Sequence, residues 1–289
     1  MRTRFILGPV FIAVIIGLLL IDHALLPAYR PIGPALLALL ALAGWHELAR
    51  MIGLAGRERG GRAFLYFGVG AIAFFHAVAW WTGWRALSGS TAGDAFERLL
   101  LWGIAATVFG AFALAVFRRD FTEHYRGVLE TIVGVLLLGV LFSYHTRVYF
   151  IREHSLLIAA GYFLGIKGTD IVAYIVGSTL GRHRFLSVSP NKTVEGCLGG
   201  LVWGAAWFGG LGALSGETVF PWPQGVVFGI ILASAAQVGD LSESMFKRTY
   251  DVKDSSVLLP EFGGVLDLVD SLVFTGCLFW YFVWTSGVS

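Results

Sequence analysis

Long apolar runs separated by short polar clusters dominate the chain, and the length of these runs decides what they can form. A helix needs about 20 mostly apolar residues to cross a bilayer's hydrocarbon. Runs of that kind occur at Phe5–Leu26, Gly33–Leu54, Ala63–Trp84, Leu99–Phe117, Val128–Phe150, Leu156–Ser178, Cys197–Ser215, Val226–Leu241 and Val265–Trp284. The pattern predicts an all-α integral membrane protein, a polytopic bundle of about nine transmembrane helices. The first five runs are uniformly apolar. The sixth, eighth and ninth carry Lys167, Asp170, Asp240, Asp267 and Asp270 in or at the ends of apolar sequence, so their limits are softer. The run after Met1–Arg4 is too long for a signal-peptide core, and no small-residue cleavage site follows it. It reads as an uncleaved first span.

Composition agrees with this reading. Of 289 residues, 56% are hydrophobic and 14% are charged, against about 25% charged in a soluble domain. Basic residues then set the orientation. Nine spans place fifteen of the 21 Lys and Arg on the side of the N-terminus. Five (Arg30, Arg85, Arg98, Arg147 and Arg152) fall on the other side, and Lys167 lies within the sixth span. This predicts a cytoplasmic N-terminus in the cell (inner) membrane. The net charge of +2 is part of the same bias and implies no nucleic-acid partner. Cys197 and Cys277 lack metal-ligand spacing and read as small buried hydrophobes.

The chain changes character near residue 151, which suggests N-terminal helices over 1–151 and a C-terminal catalytic region over 152–289. In the first part polar residues sit mainly at helix ends, with Trp80, Trp81, Trp84, Tyr144 and Tyr149 as interfacial aromatics. Glu47 and His46, inside the second span beside Trp45, are exceptions. An ionisable group there is either functional or a satisfied helix contact, and the sequence leaves both open. The second part is rich in Gly, which permits close helix packing in lipid.

Three clusters in the second part could carry chemistry. In Gly239-Asp240-Leu241-Ser242-Glu243-Ser244-Met245-Phe246-Lys247-Arg248, helical spacing puts Asp240, Ser244 and Lys247 or Arg248 on one face. Hard oxygens suit Mg²⁺ and the cations suit phosphate. A solvated helix end with snorkelling basic side chains is the alternative. In Val265-Leu266-Asp267-Leu268-Val269-Asp270-Ser271 the two acids stand at i and i+3 and share a helix face. A bound cation would relieve their repulsion, as would fraying of the helix start into water. In Ser187-Val188-Ser189-Pro190-Asn191-Lys192-Thr193-Val194-Glu195-Gly196, Pro190 breaks any helix and polar donors precede a Gly-rich one. No Walker A frame is present. The predicted topology puts all three on the cytoplasmic side, where carboxylates for a metal and cations for phosphate suggest phosphoryl-type transfer between a nucleotide and a lipid.

From Gly168 onward the sequence resembles the bacterial phosphatidate cytidylyltransferases, or CDP-diacylglycerol synthases. Asp170-Ile171-Val172-Ala173-Tyr174-Ile175-Val176-Gly177 with Gly181-Arg182-His183 is similar to the family's D-x-x-A-Y-x-x-G…G-[KR]-x stretch. Ser189 to Gly196 is similar to S-P-x-K-T-x-E-G. Gly239 to Arg248 resembles the start of the family signature, and Val252-Lys253-Asp254-Ser255 its centre. At the end of the signature Gly263, Gly264, Asp267 and Asp270 match, whereas Phe262 and Leu268 stand where the family has His and Arg.

The resemblance implies that CTP and phosphatidate give CDP-diacylglycerol and pyrophosphate. It implies Asp240, Lys247, Asp267 and Asp270 as catalytic residues, with Asp240, Ser244, Asp267 and Asp270 holding Mg²⁺ and a second cation such as K⁺. It implies Asp170, Ser189, Lys192, Thr193, Ser244, Arg248, Lys253 and Asp254 for substrate binding. Membrane lipids would be partners, a homodimer is compatible, and the active site would face the cytoplasm. Other CTP-dependent lipid enzymes (a polyprenol kinase or a CDP-archaeol synthase), an ion-coupled transporter and an inactive scaffolding relative stand as alternatives.

Overall fold

Apolar sequence of this length satisfies its backbone polar groups internally only as helix, and helices make up the structure. The computed structural model describes residues 17, 20–22, 24, 26, 29–54, 59–87, 93–116, 121–151, 155–184, 187–215, 219–252, 255–256 and 263–286. The helices are α1 (Ile32–Met51), α2 (Arg59–Leu87), α3 (Gly93–Val116), α4 (Phe121–Gly134), a π-helical stretch (Val135–Leu141), α5 (Phe142–Tyr149), α6 (Ser155–Leu180), α7 (Val194–Leu214), α8 (Trp222–Thr249), α9 (Val265–Val273) and α10 (Thr275–Thr285).

Eight spans among the described residues are long and apolar enough to cross a membrane. They match the second to ninth predicted runs. Most of the predicted first span lies outside the described residues. The largest difference is at α8, which the sequence ends at Leu241 but which continues to Thr249. Charge marks where a helix leaves the hydrocarbon, and a helix can go on into water. At 28 residues α8 is about 42 Å long, against about 30 Å of hydrocarbon. The predicted fifth span is not α-helical throughout, since Val135–Leu141 widens to a π-helix. His76 of α2 lies 3.1 Å from the carbonyl of Leu138 in that stretch. The last span is interrupted at Phe274, between α9 and α10.

The chain forms two compact units, Met1–Phe150 with Asp254–Leu268, and Ile151–Lys253 with Val269–Ser289. In the first, α2 packs against α1, α3, the π-helix and α5. Its core holds Trp45, Phe75, Phe96, Leu138 and Phe142, all buried, and the Trp45 indole donates to the Leu65 carbonyl at 3.0 Å.

In the second unit α7 packs on both α6 and α8. Small residues make this possible: a side-chain carbon on Gly229 would strike the Gly204 carbonyl, and one on Gly204 would strike the Gly229 carbonyl. The indoles of Trp203 and Trp207 donate to the carbonyls of Gly165 (3.1 Å) and Gly161 (2.7 Å), tying α7 to α6. Tyr162 stacks on Phe279 at 4.5 Å between ring centres, and its hydroxyl meets Thr275 at 2.6 Å. Apolar side chains such as Leu101, Trp102 and Phe109 on α3, and Tyr174, Val202 and Leu214 in the second unit, point outward. Such surfaces need lipid around them.

Candidate active site

Ionisable groups in the second unit gather where α6, α8 and the start of its last span carry acids within apolar sequence. A charge placed there needs a partner of opposite sign, and each carboxylate has one. Lys167, one turn before Asp170 on α6, extends its ammonium between two acids, 3.7 Å from Asp170 and 3.6 Å from Asp270. The same ammonium donates to the Ser271 hydroxyl at 2.8 Å. Lys192 reaches Asp240 at 2.6 Å. Asp240 is close enough to Asp170 and Asp270 for their charges to interact. Three carboxylates against two ammonium groups leave one negative charge in excess.

Backbone features set this geometry. α8 approaches Asp270 closely because residue 239 is Gly: a side-chain carbon there would meet the Asp270 carbonyl. Lys192 leaves a turn closed by its own N–H on the Ser189 carbonyl at 3.0 Å, with Pro190 at the bend. Thr193 then caps α7, its hydroxyl accepting from the Gly196 N–H at 3.1 Å. Glu195 in the first turn of α7 reaches back to accept from the backbone of Arg182 (3.1 Å) and His183 (3.3 Å) and contacts the His183 ring at 2.6 Å. An antiparallel bridge between Arg184 and Thr193 completes the loop. In this way Glu195 and Thr193 fold the basic segment of Arg182, His183, Arg184 and Lys192 onto one end of α7.

The other predicted residues fall as follows. Lys247 pairs with the buried Glu243 one turn earlier on α8, and Arg248 is exposed. Ser244 lies half-buried on the same helix. Lys253 and Asp254 lie outside the described residues, as does Phe262. Asp267 and Asp270, expected to act as a pair on one helix face, have different partners. Asp267, at the third position of α9, accepts from the Gly264 N–H at 2.7 Å and from the Ser255 hydroxyl and N–H at 2.8 and 3.2 Å. That is the return arm of a capping box. Gly263 has a positive φ of 85°, and a side-chain carbon on it would meet the Asp267 carboxylate. Asp270, one turn on, belongs to the second unit and faces Lys167 within it.

Sequence reasoning assigned Lys167 to its span and gave it no role. The signal was available, since a Lys inside an apolar run, three residues before an Asp, has to be paired. Among the described residues no three His, Cys, Asp or Glu side chains converge on one metal position. Mg²⁺ does not require that, because it usually takes one or two carboxylates plus substrate phosphate and keeps several waters. The hard-oxygen donors and the excess negative charge therefore fit a divalent cation.

The sequence model of the cytidylyltransferase family matches residues 2–286. The chain is 46% identical over 133 residues to a phosphatidate cytidylyltransferase of Synechocystis sp., covering 45% of this chain and 44% of that protein. It is 36% identical over 143 residues to one of Bacillus subtilis, covering 49% and 53%. It is 40% identical over 138 residues to one of Staphylococcus saprophyticus, covering 47% and 51%. The chain thus spans about half the length of the curated relatives it matches.

Proposed function

The chain belongs to the cytidylyltransferase family, and on that premise we propose that it is a phosphatidate cytidylyltransferase, converting CTP and phosphatidate to CDP-diacylglycerol and pyrophosphate. The observation that carries the reading is the paired cluster of Asp170, Asp240, Asp270 and Lys167 on membrane helices with Lys192 from the loop before α7. A lipid phosphate oxygen attacks the α-phosphorus of CTP. The bond from that phosphorus to the bridging oxygen breaks, and pyrophosphate leaves with the electron pair. The attacking oxygen is already anionic at neutral pH, so the protein needs no strong base and contributes position and charge.

In this scheme Lys167 and Lys192 neutralise the carboxylates before substrate arrives and turn to the phosphates once it binds. Lys247, Arg248 and Lys253 provide further positive charge toward the leaving pyrophosphate. Asp240 and Asp270 are the proposed ligands for Mg²⁺, with Ser244 and Asp267 one turn away on their helices completing the predicted set. A cation held there would neutralise charge building on the phosphates. A second cation such as K⁺, a cytoplasmic-facing site in the inner membrane and a homodimer belong to the same proposal.

The test is an assay of purified protein with CTP labelled at the α-phosphate, phosphatidate and Mg²⁺. Label should enter the lipid while pyrophosphate is released. Release of CDP with a phosphorylated lipid would identify a kinase instead. An inert wild type, with activity appearing in a Phe262→His, Leu268→Arg double variant, would show that this chain has lost the reaction.

A further inference from the structure

Glu47 lies near the C-terminal end of the apolar α1 and is only 3% exposed, so its charge has to be met by protein groups. Both its carboxylate oxygens accept hydrogen bonds from one segment about two hundred positions later. Oε1 accepts from the Ser256 hydroxyl at 2.6 Å and the Val265 N–H at 2.9 Å. Oε2 accepts from the Leu266 N–H at 2.9 Å and lies 3.2 Å from the Ser255 hydroxyl, which also reaches Asp267. Val265 and Leu266 open α9, where backbone N–H groups have no partner within the helix. Asp267 satisfies the Gly264 N–H, and Glu47 satisfies the next two. Gly264 fits against this arrangement for lack of a side chain, since a carbon there would strike Glu47 and Ser255.

We infer that Glu47 is a positioning residue for the transfer reaction, fixing the first turn of α9 and through it the acids Asp267 and Asp270 that this helix carries. The inference rests on the proposed function for its kinetic consequence, although the clamp itself can be measured without any activity. Every contact is a donation into a carboxylate oxygen. A Glu47→Gln substitution keeps the size but turns an amide NH₂ onto one pair of donors, so half the clamp opens. The first turn of α9 then frays, and its acids no longer hold one geometry. Ser256→Ala removes a single donor and leaves the other contacts in place.

The experiment combines amide hydrogen exchange with steady-state kinetics on the purified full-length protein. In Glu47→Gln, exchange over residues 263–268 should rise roughly tenfold or more while α7 and α8 keep their protection. Turnover should fall roughly tenfold or more, and half-activation should need more Mg²⁺. The Michaelis constant for CTP should stay within about threefold, because kcat and not ground-state binding is affected. Ser256→Ala should move each quantity the same way by a smaller factor, and it decides the matter if Glu47→Gln does not fold. Unchanged exchange at the start of α9 would remove the clamp. Faster exchange with normal turnover and Mg²⁺ dependence would make Glu47 a structural residue only. A wild type that forms no CDP-diacylglycerol would overturn the functional reading, and with it the role given to Glu47, whatever the exchange shows.

Discussion

Lys167 is the residue on which the candidate site balances. Its ammonium stands between two acids that would otherwise repel each other in partly buried surroundings. Lys167→Met should cost on the order of 1–3 kcal/mol of stability through the unpaired carboxylates left behind, read as a lower melting temperature in detergent. Adding Asp170→Asn should restore most of that stability and none of the turnover, because the cation that meets phosphate is still missing. Recovery of activity in the double variant would reduce Lys167 to a counter-ion. The residue scale is also where sequence was least informative. Asp240, Asp270 and Lys192 stood out through their motifs. Glu47 stayed ambiguous because its partners, the hydroxyls of Ser255 and Ser256 and the backbone N–H groups of Val265 and Leu266, lie some two hundred positions away and nothing in the sequence links them to it. The role of Asp267 in the cap of α9 depends on a left-handed Gly263, which spacing alone does not reveal.

Helices were more legible, since apolar length alone identifies a membrane span. Seven of the predicted boundaries needed only modest adjustment, and the exception, α8, overran because its last turns are polar yet helical. The π-helical stretch had no signature, because a shift from i+4 to i+5 bonding leaves composition unchanged and is fixed by packing, here against α2. Orientation belongs to this scale as well. Arg184, in the loop before α7, and Arg248, at the end of α8, are both exposed, and the proposed orientation, which follows the excess of basic residues, has both facing the cytoplasm. Single cysteines at these two positions, in a background lacking Cys197 and Cys277, should therefore resist an impermeant thiol reagent applied to intact cells and react after lysis. Labelling of either from outside would reverse the assigned orientation.

At the scale of the whole molecule, two helical units offer apolar side chains to lipid, while in the second Lys167 and Asp170 lie midway along α6 with Asp240, Asp270 and Lys192 gathered near them. The length of α8 has a kinetic consequence. A helix about 12 Å longer than the hydrocarbon is thick has room for the stretch from Asp240 to Arg248 in the headgroup layer, and under the proposed function one substrate would be dissolved there in two dimensions and the other in three. The encounter with phosphatidate is then governed by how crowded that lipid is within the surface, and the volume of the sample does not enter. In mixed micelles, adding inert detergent at constant CTP, Mg²⁺ and total phosphatidate should slow the reaction. Below saturation, an approximately tenfold dilution within the micelle should slow it roughly tenfold. Adding buffer while restoring CTP and Mg²⁺ should leave the turnover per enzyme nearly unchanged. A rate that followed phosphatidate per litre and ignored detergent would mean that the lipid reaches the site from water. In a cell, such an enzyme would respond to the local makeup of its own membrane patch.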